Sequence, residues 1–227
     1  MAFIYCVLLP WQAIRQELKK KDLVVYTSQQ KVKVYFSFCF SFFVMALAII
    51  LLWLAFRRPL AAMGFTLTIK GDLWVWSLLA FIVLYSIDGI INVSTPERIA
   101  AGRIEWQKRT PFMPTGGKEF PAYLVMCLCA GVFEEIIYRG YLVTYFEYLF
   151  KGSDYREILA IVLPAIPFTV AHFYHGAKNM VKIFVLSVLF GLIFIQSGSL
   201  VIVMILHFLT NVVGGVISVR YMRERNQ

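Results

Sequence analysis

Six long apolar runs, separated by short polar segments, dominate the pattern of hydrophobic and polar positions along the chain. They cover about residues 35–56, 73–93, 121–146, 157–175, 180–196 and 199–219. A helix that crosses a bilayer needs roughly 20 mostly apolar residues, so each run predicts one transmembrane helix. The predicted fold class is therefore all-α, a polytopic transmembrane helical bundle of about six spans.

The first ten residues, MAFIYCVLLP, are also apolar, but they precede the basic residues Arg15 and Lys19 to Lys21. A cleavable signal peptide has the opposite order, with its positive charge before its apolar core, so we expect no cleaved signal here. The pattern predicts a short interfacial or partly inserted helix. Full insertion of residues 1–14 would raise the number of spans to seven and place the N-terminus outside.

The segment 94–118 carries prolines and glycines around the mixed-charge stretch ERIAAGRIEWQKR, which predicts an amphipathic interfacial helix in a linker. Residues 1–93 then form an N-terminal apolar and basic segment with two spans, whose interior acid Asp88 lies near a helix end and receives no catalytic role. Residues 119–219 form a four-helix core that holds nearly all the polar residues at membrane depth. Residues 220–227 form a basic cytoplasmic tail.

Composition and charge support this assignment. The chain of 227 residues is 60% hydrophobic with a mean hydropathy of +0.73, which excludes an ordinary soluble domain. Of its basic residues, 16 fall in the segments predicted to face the cytoplasm and five in the outer segments. The positive-inside rule therefore explains the net charge of +9 without a nucleic-acid partner, and it places both termini in the cytoplasm. We expect an integral protein of a bacterial plasma membrane, in contact with membrane lipids. The four cysteines contain no CxxC pair, so neither a disulfide framework nor a thiolate zinc site is indicated.

The third apolar run contains three ionisable residues in GVFEEIIYRG, and each costs roughly 2.5–3.5 kcal/mol at the centre of a spanning helix. Glu135 and Arg139 are spaced i,i+4 and can neutralise each other as a buried ion pair. Glu134 lies about 100° around an α-helix from Glu135 and is left without a partner. A structural role explains Glu135 and Arg139, whereas Glu134 is a functional candidate.

Two further runs contribute polar groups. The fourth run places His172 near its inner end, after two prolines, and the sixth places His207 and Asn211 at i,i+4 on one helix face. A single buried histidine is more often a hydrogen-bonded core residue, and a His–Asn pair can simply hold helices together. Two histidines, an asparagine and an unpaired carboxylate in one small bundle are harder to explain by packing alone.

Hydrolysis of an amide or similar acyl bond is the chemistry that uses these groups together. A carboxylate in apolar surroundings is a good general base, so Glu134 would take a proton from water that His172 orients. His207 and Asn211 would donate hydrogen bonds to the oxyanion of the tetrahedral intermediate, an effect of about 3 kcal/mol per donor.

Three motifs carry a resemblance to a known family. The EExxxR of Glu134 to Arg139, the FxxxH of Phe168 to His172 and the HxxxN of His207 to Asn211 resemble those of the CAAX-protease and bacteriocin-processing (CPBP or Abi) family, in the same order and on separate spans. The resemblance covers residues 119–219. It implies an intramembrane endopeptidase with the same four catalytic residues, acting on membrane-associated or lipid-modified peptides or proteins.

Alternatives remain at this stage. A catalytic zinc would need about three protein ligands, which His172, His207 and Glu134 would supply. The chain has no HExxH, and ligation would remove Glu134 as the base, so a metal-free mechanism is favoured.

A non-catalytic bacteriocin-immunity or adaptor protein of the same fold is the main alternative function. A proton-coupled transporter is less attractive because no internal repeat is evident. The sequence does not indicate the oligomeric state.

Overall fold

The structure is a computed structural model that describes residues 1–19 and 25–223. Within these residues the protein is helical and contains no strand. Its eight helices are α1 (Leu9–Lys19), α2 (Ser28–Ala55), α3 (Leu73–Asn92), α4 (Pro96–Arg109), α5 (Phe120–Leu149), α6 (Arg156–Ala171), α7 (Ala177–Ser197) and α8 (Leu200–Arg223). The predicted basic tail begins inside α8, and its residues 224–227 lie outside the described part of the chain, as do Lys20 and Lys21.

Five of these helices, α2, α3, α5, α7 and α8, are long and apolar enough to cross a membrane. The predicted all-α polytopic bundle is therefore confirmed, and the protein is an integral membrane protein. The fourth predicted span, 157–175, is wrong at its end because α6 stops at Ala171. At 1.5 Å per residue its 16 residues reach about 24 Å, less than the roughly 30 Å of a bilayer core.

Helix α2 begins seven residues before the predicted span because a polar cap, and not the apolar run, sets its start. The Thr27 hydroxyl accepts a hydrogen bond from the Gln30 amide, and the Gln30 side chain accepts one from the Thr27 amide. This reciprocal capping box satisfies two backbone donors that the first turn of a helix leaves unpaired. The helix therefore extends through Lys31 and other polar residues before the apolar stretch.

A buried ion pair fastens the start of α2 to the start of α5. The Lys31 ammonium donates to Glu119 Oε1 at 3.3 Å, to the Thr115 hydroxyl and to the Met113 carbonyl. Burial alone would raise the pKa of Glu119, but hydrogen bonds from Thr115 and Ser28 and the charge of Lys31 outweigh it and lower that pKa to about 2. The carboxylate is therefore ionised at neutral pH, and the linker before α5 is held close to α2.

The N-terminal segment packs on the bundle along α6. A wide π-helical turn, Ile4–Leu8, precedes α1, and the buried Tyr5 hydroxyl donates to the Met45 carbonyl at 3.1 Å. At the other end of α1, Glu17 accepts from Arg109 at the end of α4. The segment thus runs along the side of α6 and contacts the short turn after it. Whether residues 1–14 cross the membrane, and on which side the termini lie, stay predictions.

Helices α5 and α8 approach each other closely at Gly131. A Cβ atom added at this position would lie 2.9 Å from both the Met204 carbonyl oxygen and the Phe208 amide nitrogen of α8. These are backbone atoms within a helix, so they cannot swing aside as a flexible side chain would. Since Gly131 is close in sequence to the two glutamates of α5, and Phe208 follows His207, this contact brings the polar residues of the two helices together.

We therefore predict that Gly131→Ala lowers the free energy of unfolding by about 1–3 kcal/mol, the usual cost of over-packing. The measurement is thermal unfolding of the purified protein in detergent. Gly89→Ala is the matched control because Gly89 lies in α3 with no atom within 4 Å of an added Cβ, and alanine is the better helix former. Equal stability of the two variants would show that the α5–α8 contact is not tight.

Candidate active site

Two wide turns interrupt the middle of α5. Residues Ala130–Glu134 and Ile136–Val143 follow π-helical geometry, with Glu135 between them. Such turns inside α-helices occur frequently at functional sites because they redirect side chains. Glu134 and Glu135 are both buried, with 4% and 0% of their surface exposed, and their carboxyl groups contact different partners.

Glu135 and Arg139 form the i,i+4 ion pair that the sequence indicates. Arg139 Nη1 donates to Glu135 Oε1 at 2.8 Å, and both side chains are almost fully buried. Arg139 Nη2 reaches across to α7 and donates to the hydroxyl of Ser187 at 2.9 Å and to its carbonyl at 3.1 Å. The guanidinium therefore ties α5 to α7 while it neutralises the buried carboxylate.

Two aromatic rings enclose the same guanidinium. The Arg139 Cζ lies 4.8 Å from the centre of the Phe168 ring and 5.3 Å from that of Phe190. A desolvated cation over an aromatic face gains about 2 kcal/mol. Phe168 also contacts Tyr138 edge-on, so this ring fixes α6 against α5. The phenylalanine of the FxxxH motif thus packs directly on the arginine of the EExxxR motif.

Glu135 also contacts His207 of α8, which the sequence did not indicate. His207 Nδ1 lies 2.7 Å from Glu135 Oε1, and both side chains are buried. An ionised carboxylate only accepts hydrogen bonds, so Nδ1 carries the proton and donates it. This bond fixes the imidazole ring and leaves Nε2 as the atom available for other chemistry.

His172 lies at the C-cap of α6, not inside a spanning helix as expected. Its amide bonds to Thr169 three residues back, which releases the Phe168 carbonyl from the regular helical pattern. The His172 side chain takes the place of that amide, because its Nδ1 donates to the Phe168 carbonyl at 2.8 Å. The last turn of a helix leaves such carbonyls without partners, and here the histidine satisfies one of them.

Glu134 and His172 face each other across a short gap. His172 Nε2 lies 3.9 Å from Glu134 Oε2, and that carboxylate oxygen is buried without a hydrogen-bond partner in the described part of the chain. Since Nδ1 of His172 is a donor, Nε2 accepts whenever the ring is neutral, as does the carboxylate whenever it is ionised. Two acceptors at this separation need a proton donor that contacts both, and a water molecule is the simplest one.

Asn211 lies one turn after His207 on α8. Its backbone carbonyl accepts a hydrogen bond from the Tyr123 hydroxyl at 2.9 Å, whereas the described residues offer its carboxamide no partner. Asn211 and His172 are both half-buried, in contrast to the fully enclosed Glu135 and Arg139. The charged Glu135 and Arg139 side chains are therefore enclosed, whereas His172 and Asn211 are partly accessible.

The zinc ligands of the alternative are Glu134, His172 and His207, of which Glu134 and His172 lie 3.9 Å apart. Among the described residues, no set of three or more His, Cys, Asp or Glu side chains is arranged to hold a metal ion. A catalytic zinc needs about three such ligands around one point. The described residues therefore show no preformed three-ligand zinc site, and the metal-free mechanism stays a prediction.

Asp88 and the four cysteines are not among the predicted site residues. Asp88 accepts from Lys182 of α7 and from Asn92 in a half-exposed ion pair, consistent with a structural role near the end of α3. The four cysteines are free thiols.

Sequence reasoning missed Ser187 and Phe190 as partners of Arg139. They lie at i and i+3 on α7 and so share a face. For Ser187, the signal in the sequence was a polar residue within an apolar run. Phenylalanine, with 20 occurrences in the chain, gave none.

The fold is that of a polytopic helical membrane protein, with buried Glu134, Glu135 and His207 and half-buried His172 within its bundle. Residues 116–213 match a family model described as "Type II CAAX prenyl endopeptidase Rce1-like". This segment holds all three motifs, so the match supports the CAAX-protease family to which the motifs point, a family of proteases. No curated protein and no solved structure matches the chain.

Arg139→Ala is predicted to destabilise the protein by about 3–5 kcal/mol because it leaves the Glu135 carboxylate buried without its cation. Thermal unfolding and protein abundance at matched expression measure the effect. Arg156→Ala is the control, since Arg156 is 44% exposed and lies 3.9 Å from Glu147, and such surface pairs contribute at most about 1 kcal/mol. Equal effects of the two changes would contradict a structural role for the buried pair.

Proposed function

We propose that this protein is an intramembrane endopeptidase in which Glu134 activates water and His207 and Asn211 stabilise the oxyanion. The peptide bonds it hydrolyses belong to membrane-associated or lipid-modified peptides or proteins. The family description, a CAAX prenyl endopeptidase, favours substrates whose C-terminal region carries a prenyl group. The burial of the polar cluster between spanning helices agrees with a substrate anchored in the bilayer.

The observation that carries this proposal is the 3.9 Å gap between His172 Nε2 and Glu134 Oε2. Both atoms are acceptors, and neither makes a hydrogen bond to another group of the described residues. A water molecule that donates one hydrogen to each would have its lone pairs directed away from them. Such a water is oriented for attack before the substrate arrives, which reduces the entropic part of the barrier.

The reaction follows from these roles. The water oxygen attacks the carbonyl carbon of the scissile bond while Glu134 takes the water proton, and the carbonyl oxygen becomes an oxyanion. The Glu134 carboxyl group then gives the proton to the leaving nitrogen, the C–N bond breaks, and a carboxyl product and an amine product form. His172, held by the Phe168 carbonyl, keeps its Nε2 toward the water throughout.

Oxyanion stabilisation is the role we assign to His207 and Asn211. The Asn211 carboxamide supplies N–H donors that no described residue occupies. His207 Nε2 donates only when both ring nitrogens carry a proton, and the Glu135 carboxylate on Nδ1 stabilises that charged ring. Glu135 thus has two roles, as the counter-ion of Arg139 and as the group that holds His207.

Glu134→Gln and, separately, His172→Ala are predicted to lower kcat about 100-fold or more, the usual contribution of a general base and its water. The measurement uses protein reconstituted in liposomes with a prenylated peptide that ends in a Cys-aliphatic-aliphatic-X sequence. Neither change introduces a new buried charge, and protein abundance at matched expression is measured beside kcat to separate a catalytic loss from a folding loss.

Glu147→Gln is the matched control, since Glu147 lies on the same helix and pairs with Arg156 at the start of α6. It is expected to retain activity. Full cleavage activity of both the Glu134 and the His172 variants would refute the roles assigned to these residues. Absence of cleavage by the unmodified protein, together with full function of both variants in a dependent cellular phenotype, would favour the non-catalytic immunity or adaptor alternative.

The metal-free mechanism gives a further prediction. Elemental analysis of the purified protein is expected to find substoichiometric zinc, and cleavage is expected to survive treatment with a chelator. Stoichiometric zinc that is lost together with activity, and restored together with it, would refute the assignment of Glu134 as a free base.

A further inference from the structure

The proposed role of Asn211 requires its carboxamide to be placed accurately. It must point at one oxygen of the substrate, yet within the described residues it makes no hydrogen bond of its own. Its direction therefore depends on the position of the α8 backbone from which it projects. Oxyanion donors lose their effect when they are misplaced, and a shift of 1 Å can lower a rate by about 100-fold.

The backbone next to Asn211 is intrinsically soft. Gly214 and Gly215 follow it by one turn, and glycine is the weakest helix former apart from proline. Paired small residues of this kind are frequent sites of helix bending. Without a contact from another helix, α8 could bend at these two glycines. Such bending would displace the Asn211 carboxamide.

Tyr123 of α5 supplies that contact in two ways. Its ring lies in the notch left by Gly215, where an added Cβ would come within 2.2 Å of the ring atom Cε1. Its hydroxyl reaches one turn back and donates to the Asn211 carbonyl at 2.9 Å. The Tyr123 side chain is 2% exposed and packs edge-on against Tyr35, so it is itself held firmly.

We propose that Tyr123 is a positioning residue for the reaction and that its hydroxyl fixes the α8 backbone so that the Asn211 carboxamide faces the oxyanion. This inference rests on the proposed role of Asn211. It assigns no contact between Tyr123 and the substrate. The ring prevents α8 from moving toward α5, and the hydroxyl sets its rotation and register at Asn211.

Tyr123→Phe tests the hydroxyl alone, because the ring remains in the Gly215 notch. We expect kcat for the prenylated peptide in liposomes to fall about tenfold with KM nearly unchanged, since the oxyanion exists only after attack has begun. In an Asn211→Ala background, the same change is expected to lower kcat no further, because the group that it positions is already absent.

Tyr35→Phe is the matched control. Tyr35 is equally buried, touches Tyr123 and donates to a backbone carbonyl at 2.6 Å, but that carbonyl belongs to Phe112 in the linker and not to α8. It should lower the melting temperature at least as much as Tyr123→Phe while kcat stays close to that of the unmodified protein.

Four outcomes are decisive. Equal losses of kcat in the Tyr123 and Tyr35 variants, or a further tenfold loss when Tyr123→Phe is added to Asn211→Ala, would overturn the positioning role. Unchanged kcat in Tyr123→Phe while Asn211→Ala is impaired would overturn it as well and leave the proposed function intact. Full activity of Asn211→Ala would instead show that the oxyanion assignment, and with it this inference, is wrong.

Discussion

The buried carboxylate of Glu135 joins three helices of the bundle through a single oxygen atom. Its Oε1 accepts from Arg139 on the same helix and from His207 on α8, and Arg139 continues the network to Ser187 on α7. Each of these groups would be costly at membrane depth by itself. Because every charge has a partner, the network orders the surrounding helices and holds His207 in one orientation.

Close packing around this network further fixes the positions of the helices. Gly131 lets α5 and α8 approach until their backbones nearly touch, and the Phe168 and Phe190 rings close over the Arg139 guanidinium. Phe168 has a further effect, since its carbonyl receives the His172 side chain at the end of α6. The same residue therefore protects the ion pair and orients the histidine that faces Glu134.

Because α6 is short, its C-terminal end lies within the bundle and not at the membrane surface. The helix begins where Arg156 contacts Glu147 near one end of α5 and stops where His172 meets Glu134, halfway along α5. A helix of full spanning length would carry its end to the membrane surface. Because α6 ends early, a half-exposed histidine reaches a buried carboxylate, and the two can share a water molecule within the bundle.

The sequence by itself determined the helical class, the approximate position of each helix and the pairing of Glu135 with Arg139, because apolar run length and i,i+4 spacing are local properties. It also identified the family through three motifs. Only the tertiary structure decided that His207 bonds to Glu135 and that Ser187 bonds to Arg139, contacts between residues 72 and 48 positions apart. Such contacts depend on how helices rotate and approach one another, which no local spacing encodes.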